Sequence, residues 1–144
     1  MDVHISLRRA TLEDGQALLD WRNDDATREA SHCTEPVDVE GHMAWLEQVL
    51  ENPDRALFIA EKSGTRVGTV RADCDGVETE LSWTVAPEAR GTGVAKEMLR
   101  LVMREVAGPF KAEVKTNNKA SLRVAAGAGL HIEKEERGIA YFRS

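Results

Sequence analysis

The stretch from Glu80 to Val106 constrains the fold more than any other part of the chain. Leu81, Trp83 and Val85 alternate with Ser82 and Thr84, the period of a strand with one apolar face. Pro87 cannot donate to a ladder and ends that strand. Helical spacing follows. Val94, Ala95, Met98, Leu99, Val102 and Val106 fall on one side, and Lys96, Glu97, Arg100, Arg104 and Glu105 on the other. Between strand and helix stand Arg90, Gly91 and Gly93.

That junction suits an anion. The first helical turn leaves main-chain N–H groups without partners, and the helix dipole places partial positive charge there. Glycine lets another molecule approach the main chain closely. A pyrophosphate is the usual guest of such a site, and Arg90 adds a full charge beside it. Two other phosphate loops are excluded. Val94-Ala95-Lys96 does not supply the Gly-Lys-Ser/Thr of a Walker loop, and Lys96 stands where the dinucleotide fingerprint needs a third small residue.

Arg90-Gly91-Thr92-Gly93-Val94-Ala95 fits an R/Q-x-x-G-x-G/A signature, and with its Pro87-Glu88-Ala89 lead-in it resembles the GNAT N-acetyltransferase superfamily. The resemblance implies that residues 90–95 bind the pyrophosphate of acetyl-CoA. It also implies that the preceding strand pairs with the pantetheine arm, with a main-chain N–H at Thr84 or Val85 polarising the thioester carbonyl. Farther on, Asn118-x-x-Ser121-x-x-x-Ala125-x-x-x-Gly129-Leu130 is similar to the family's N-x-x-A/S-x-x-x-Y-x-x-x-G-F segment. Asn118 and Ser121 are carried over as cofactor contacts, although an Asn opening a helix is first of all an N-cap. Ala125 departs from the pattern: the tyrosine that often protonates the leaving thiolate is missing, and Tyr141, the only tyrosine, lies elsewhere. A thiol with a pKa near 8.5 departs with little help, so an acid is dispensable.

The rest of the chain follows the family's order. Strands are expected at 5–8, 56–61, 66–72, 77–86, 110–116, 130–135 and 139–143. Helices are expected from about residue 11 or 13 to 23, at 39–50, at 94–106 and at 118–126, with 24–38 polar and irregular. The resemblance implies an α+β fold, with a mixed central sheet of six to seven strands and about four helices on its faces. The strands flanking the main helix would be parallel and splay apart. Residues 1–144 are read as a single domain.

Acetyl transfer needs a group to take the amine's proton. Glu78 and Glu80 share a strand face, and Glu80-Leu81-Ser82-Trp83-Thr84-Val85 resembles the family segment whose glutamate often serves as base. That makes Glu80 the candidate; a solvated strand-face carboxylate is an equal reading. The acceptor would meet the first two helices, where Trp21, Arg22 and His42, with Trp45, resemble enzymes that acetylate amino-sugar nucleotides. Arg22 and Arg28 could meet a phosphate or carboxylate there. The plainer reading makes Trp21 and Trp45 core and Arg22 a solvated helix end.

A net charge of −6 argues against general nucleic-acid or anionic-membrane binding. No apolar run approaches a membrane span, and Met1-Asp2-Val3-His4 does not read as a signal peptide. Cys33 and Cys74 do not make a disulfide framework, so a reducing cytoplasm is the expected setting. His32 and Cys33 lack metal-ligand spacing, and no metal is expected. The functional expectation is direct acetyl transfer from acetyl-CoA to a primary amine of a small molecule, an amino-sugar nucleotide among them. A protein N-terminus is the alternative acceptor, and an idle CoA-binding module the alternative class. Similar proteins often pair through exposed strands, so a homodimer belongs to the expectation.

Overall fold

The computed structural model describes residues 4–144; Met1-Asp2-Val3, on which part of the leader reading rests, lies outside them. Seven strands form one mixed sheet in the order β1-β2-β3-β4-β5-β7-β6. They are β1 Ser6–Arg9, β2 Arg55–Lys62, β3 Thr65–Cys74, β4 Thr79–Val85, β5 Phe110–Lys115, β6 His131–Glu136 and β7 Ile139–Arg143. Five helices accompany them: α1 Gly15–Asn23, α2 Asp25–Ala30, α3 Val39–Glu51, α4 Val94–Glu105 and α5 Lys119–Gly127. This is the α+β arrangement expected from the sequence.

The four first strands pair antiparallel, but β4 and β5 run parallel and share only two pairs, Thr79 with Phe110 and Glu80 with Lys111. Beyond Glu80 the two strands part. From Leu81 to Val85 the β5-facing edge of β4 has no ladder partner, although its other edge pairs with β3.

Register assigns the faces. Leu57 and Ile59 of β2 share a face with Thr69, Arg71 and Asp73 of β3, and these with Glu80, Ser82 and Thr84 of β4. Trp45 of α3 lies over Arg71, so α3 covers this face. Under β2 the contact is apolar core: Leu46, Val49, Leu57 and Ile59 are all buried. Toward β4 the same face turns polar, and polar residues beneath a helical layer mark a cavity, since unpaired polar groups do not survive in a packed core. On the other face Val70, Ala72 and Leu81 pack beneath α4, whose Met98, Leu99 and Val102 are fully buried.

Two local readings change. The stretch 24–38 contains α2. Its Asp24 carboxylate accepts from the Thr27 amide at 3.2 Å, a cap that compensates a polar segment with no apolar periodicity. The first helix opens as a 3₁₀ turn at Leu12–Asp14 with a Thr11–Asp14 capping box. Asp14 is fully buried because its carboxylate also receives Arg8 at 2.7 and 2.8 Å and Arg66 at 2.7 Å, which ties β1 and β3 to the start of the helical layer. Those guanidinium groups, Arg8 foremost, hold the carboxyl far below the usual range.

Candidate active site

Four of the seven helical segments among the described residues begin with a side chain over the first turn: Thr11 on the 3₁₀ turn, Asp24 on α2, Asp38 on α3 and Asn118 on α5. The long α4 does not. Its cap is Gly93, at φ 86°, with no side-chain acceptor on the helix amides. A left-handed cap residue without Cβ leaves the first turn bare. Gly91 is also left-handed, at φ 76°, and a Cβ built there would meet nothing within 4 Å.

This bare turn opens on a groove of about 630 Å³. Arg90, Gly91, Gly93, Val94 and Ala95 form one end, and Thr84 and Val85 of β4 form a wall. Asn118 and Ser121 of α5 stand opposite, where the Asn118 side chain caps its own helix by accepting from the Ser121 amide at 3.1 Å. Thr92 is the exception among the loop residues expected there. It does not line the groove, and its hydroxyl donates to the Ala89 carbonyl at 2.5 Å, bracing the turn. Arg90 is not a free charge either. Its guanidinium pairs with the Asp24 carboxylate and reaches the Thr27 hydroxyl at 3.3 Å. Lys96 and Arg123 line the same groove and make no ion pair among the described residues.

A second cavity, about 520 Å³, lies on the α1–α3 face of the sheet. It meets the groove where β4 and β5 part: Trp83, Thr84, Asn118, Ser121, Ala30 and Ser31 line both. Trp21, Arg22 and His42 all face it, as does Glu80. Trp21 is buried and lines the cavity at once, so its core and pocket readings are compatible. Arg22 is not a solvated helix end. It is half-buried, its Nη2 donates to the Cys33 carbonyl at 2.9 Å, and its Nη1 is buried without an acceptor. Arg28 is engaged elsewhere, by Asp25, the Asn23 carbonyl and the Thr34 carbonyl.

Glu80 is half-buried and makes no hydrogen bond or ion pair among the described residues. Burial, and then the nearby Glu113 carboxylate, push its carboxyl above the ordinary glutamate range. Glu78, its neighbour on that face, is occupied by Arg143. His42 sits 3.1 Å from the Gly15 carbonyl through Nε2, and a carbonyl only accepts, so that nitrogen carries the proton. Burial holds its pKa down, with Arg22 adding to the effect, and the ring lies against Trp45 with centroids 5.6 Å apart.

Sequence reasoning read 24–38 as irregular where the structure builds α2 at the junction, and it did not single out His32, Arg71, Glu113 or Lys115 as lining the cavity. His32 Nε2 lies 3.3 Å from Glu113, and Lys115 donates to the Glu29 carbonyl at 2.8 Å. The alternation Lys111-Ala112-Glu113-Val114-Lys115 carried the signal, since it places Glu113 and Lys115 on the face of Glu80. No tyrosine replaces the missing one. Ala125 is fully buried, and Tyr141 lies on β7 with Lys134 Nζ 4.9 Å from its ring centre, outside both cavities. Among the described residues, no three His, Cys, Asp or Glu side chains are grouped to hold a metal.

The acetyltransferase (GNAT) domain model matches residues 4–131. Among solved structures, a domain from Methanocaldococcus jannaschii superposes with a TM-score of 0.85 at 19% identity, covering 99% of each chain. The ribosomal-protein-alanine N-acetyltransferase of Brucella melitensis superposes at 0.80 with 25% identity, over 96% of this chain and 98% of the other. The spermidine N-acetyltransferase of Vibrio cholerae, in complex with CoA and spermine, gives 0.80 at 14% identity, over 96% and 92%. No curated protein matches the sequence.

Proposed function

This chain belongs to the GNAT acetyltransferase family, and from that premise we propose that it moves an acetyl group from acetyl-CoA directly to the primary amine of a small molecule, within one domain spanning 1–144. One observation carries the reading: the uncapped first turn of α4 faces a groove that joins, at the β4/β5 parting, a cavity containing an unpaired carboxylate.

The residues fit the cofactor. A diphosphate would take the bare amides of residues 91–95, with Arg90 alongside. The free β5-facing edge of β4 offers main-chain groups to the pantetheine amides, as an added strand would use them. Acetyl-CoA supplies the activated thioester and a thiol that leaves without an acid. Thr84 and Val85 are positioned for their amides to meet the carbonyl oxygen. Glu80 takes the proton from the attacking nitrogen, and its raised pKa brings it closer to that task at neutral pH. Ser121 and Asn118 border the junction and orient what lies there.

The test is a thermal-shift titration with acetyl-CoA, followed by thiol release with a panel of amines that includes sugar nucleotides and short peptides. Stabilisation by acetyl-CoA with amine-dependent release supports the reading. Stabilisation without release from any amine would make the chain a CoA-binding module. A protein N-terminus is the second acceptor reading, favoured by the Brucella relative at 25% identity; preference for the peptides would establish it.

A further inference from the structure

Resting on the acetyltransferase reading, the geometry points to an acceptor that carries an oxyanion, a carboxylate or phosphate, as well as its amine, with Arg22 as the residue that selects for it. Two side-chain atoms among the described residues are buried without a hydrogen-bond partner, Arg22 Nη1 and Asp73 Oδ1. Asp73 Oδ1 has Arg55 Nε at 3.4 Å, so its charge is answered. Arg22 Nη1 has no such neighbour. A buried guanidinium nitrogen without an acceptor is costly, and a turn of the guanidinium toward an anion in the cavity removes the cost.

The cavity places this donor against its complement. Arg22 comes from the helical layer, at the end of α1, fixed by its bond to the Cys33 carbonyl. Glu80, the unpaired carboxylate, comes from the sheet. Glu80 offers a place for a cation and Arg22 one for an anion, and both residues line the same 520 Å³ space. Of the other charges there, Arg71 bonds Asp73 at 2.9 Å and Glu113 lies against His32, while Lys115 donates to a main-chain carbonyl that leaves its charge uncancelled. Cationic side chains outnumber carboxylates: Arg22, Arg71 and Lys115 against Glu80 and Glu113. The chain as a whole is at −6, yet this pocket does not favour a polycation. A polyamine would meet two unsatisfied cations; an amine with an acidic group satisfies both walls.

The experiment compares kcat/KM for matched acceptors: glucosamine with glucosamine 6-phosphate, and alaninamide with alanine, with spermidine as the cationic extreme. Binding of each to the CoA complex is followed by thermal shift. The expected result is a preference of roughly 10- to 100-fold for the anionic member of at least one pair, the size of one charge-assisted bond to a buried group. The pair that shows it separates phosphate from carboxylate. In Arg22→Gln the ratio should fall to near one, and Arg22→Lys should restore part of it; retained stabilisation by acetyl-CoA certifies that both variants fold. If the wild type shows no preference in turnover or binding, favours spermidine, or keeps its preference in Arg22→Gln, the inference is overturned while the acetyltransferase reading stands. Absence of any acetyl-CoA binding overturns both.

Discussion

The groove at the start of α4 is walled by main chain, whereas the cavity beside it is walled by side chains. In the groove, the decisive groups are amides made available by Gly91 and Gly93 within one short loop. In the cavity, Arg22, His42, Glu80 and Glu113 arrive from α1, α3, β4 and β5, and meet only after the sheet has closed. A main-chain site keeps its donors when flanking side chains change, and loses its ligand only when a repelling charge is set beside them. A side-chain site changes its ligand with each substitution. Under the proposed function, the first region would keep the common chemistry and the second would choose the individual acceptor.

Mutations can break that contrast, and the largest effect on cofactor affinity belongs to the loop. Arg90→Glu places a carboxylate against both Asp24 and the diphosphate, and should weaken acetyl-CoA binding by roughly 100-fold or more, about 2.7 kcal/mol. Isothermal titration would show it; a change under about threefold would mean the groove is not the diphosphate site.

Glu80→Gln should act on the other region alone. It should lower kcat by roughly 10²- to 10³-fold and leave acetyl-CoA affinity as it was. In the wild type, kcat should rise with pH along a limb lying above the ordinary glutamate range, because the base must be ionised and its pKa is raised. Glu113→Gln removes a like charge, so the limb should move to lower pH. A limb that stays in place would exclude Glu80 as the titrating base.

Stability has a separate centre. Asp14→Asn breaks the buried cluster with Arg8 and Arg66 and should cost about 2–3 kcal/mol, seen as a lower Tm with kcat little changed. The folded-state pKa of Asp14 is depressed, so its contribution is present above the unfolded value of about 3.9 and is lost as pH falls through the folded value. The wild-type advantage over Asp14→Asn should therefore persist at neutral pH and fade only in strong acid. Thr92→Ala gives the smallest effect, about 0.5–1.5 kcal/mol or less on acetyl-CoA binding, since its hydroxyl only braces the turn on Ala89.

The same contrast explains what could be read from the sequence. Seven strands and the helices of eight or more residues follow from apolar periodicity, glycine and proline. The conformation of the loop was legible because it is local: strand, Gly91, Gly93 and helix are consecutive. At Thr92 the hydroxyl turns to its own loop, on the Ala89 carbonyl, and a hydroxyl in a loop sequence does not announce which way it faces. The six-residue α2 was hidden because it rests on the Asp24 cap and on Arg90, a partner 66 positions away. Glu113 and His32 belong to a strand and a loop far apart in the chain, and no spacing rule joins them. Arg22 was visible as a candidate, but its buried, unanswered nitrogen is a property of the packed molecule.

A crystal structure of the protein with CoA tests the central claim most directly. The account predicts diphosphate oxygens about 3 Å from the main-chain nitrogens of residues 91–95, with the thiol at the junction bounded by Trp83, Thr84 and Ser121. A diphosphate bound away from the first turn of α4, or a thiol directed away from Glu80, would contradict it.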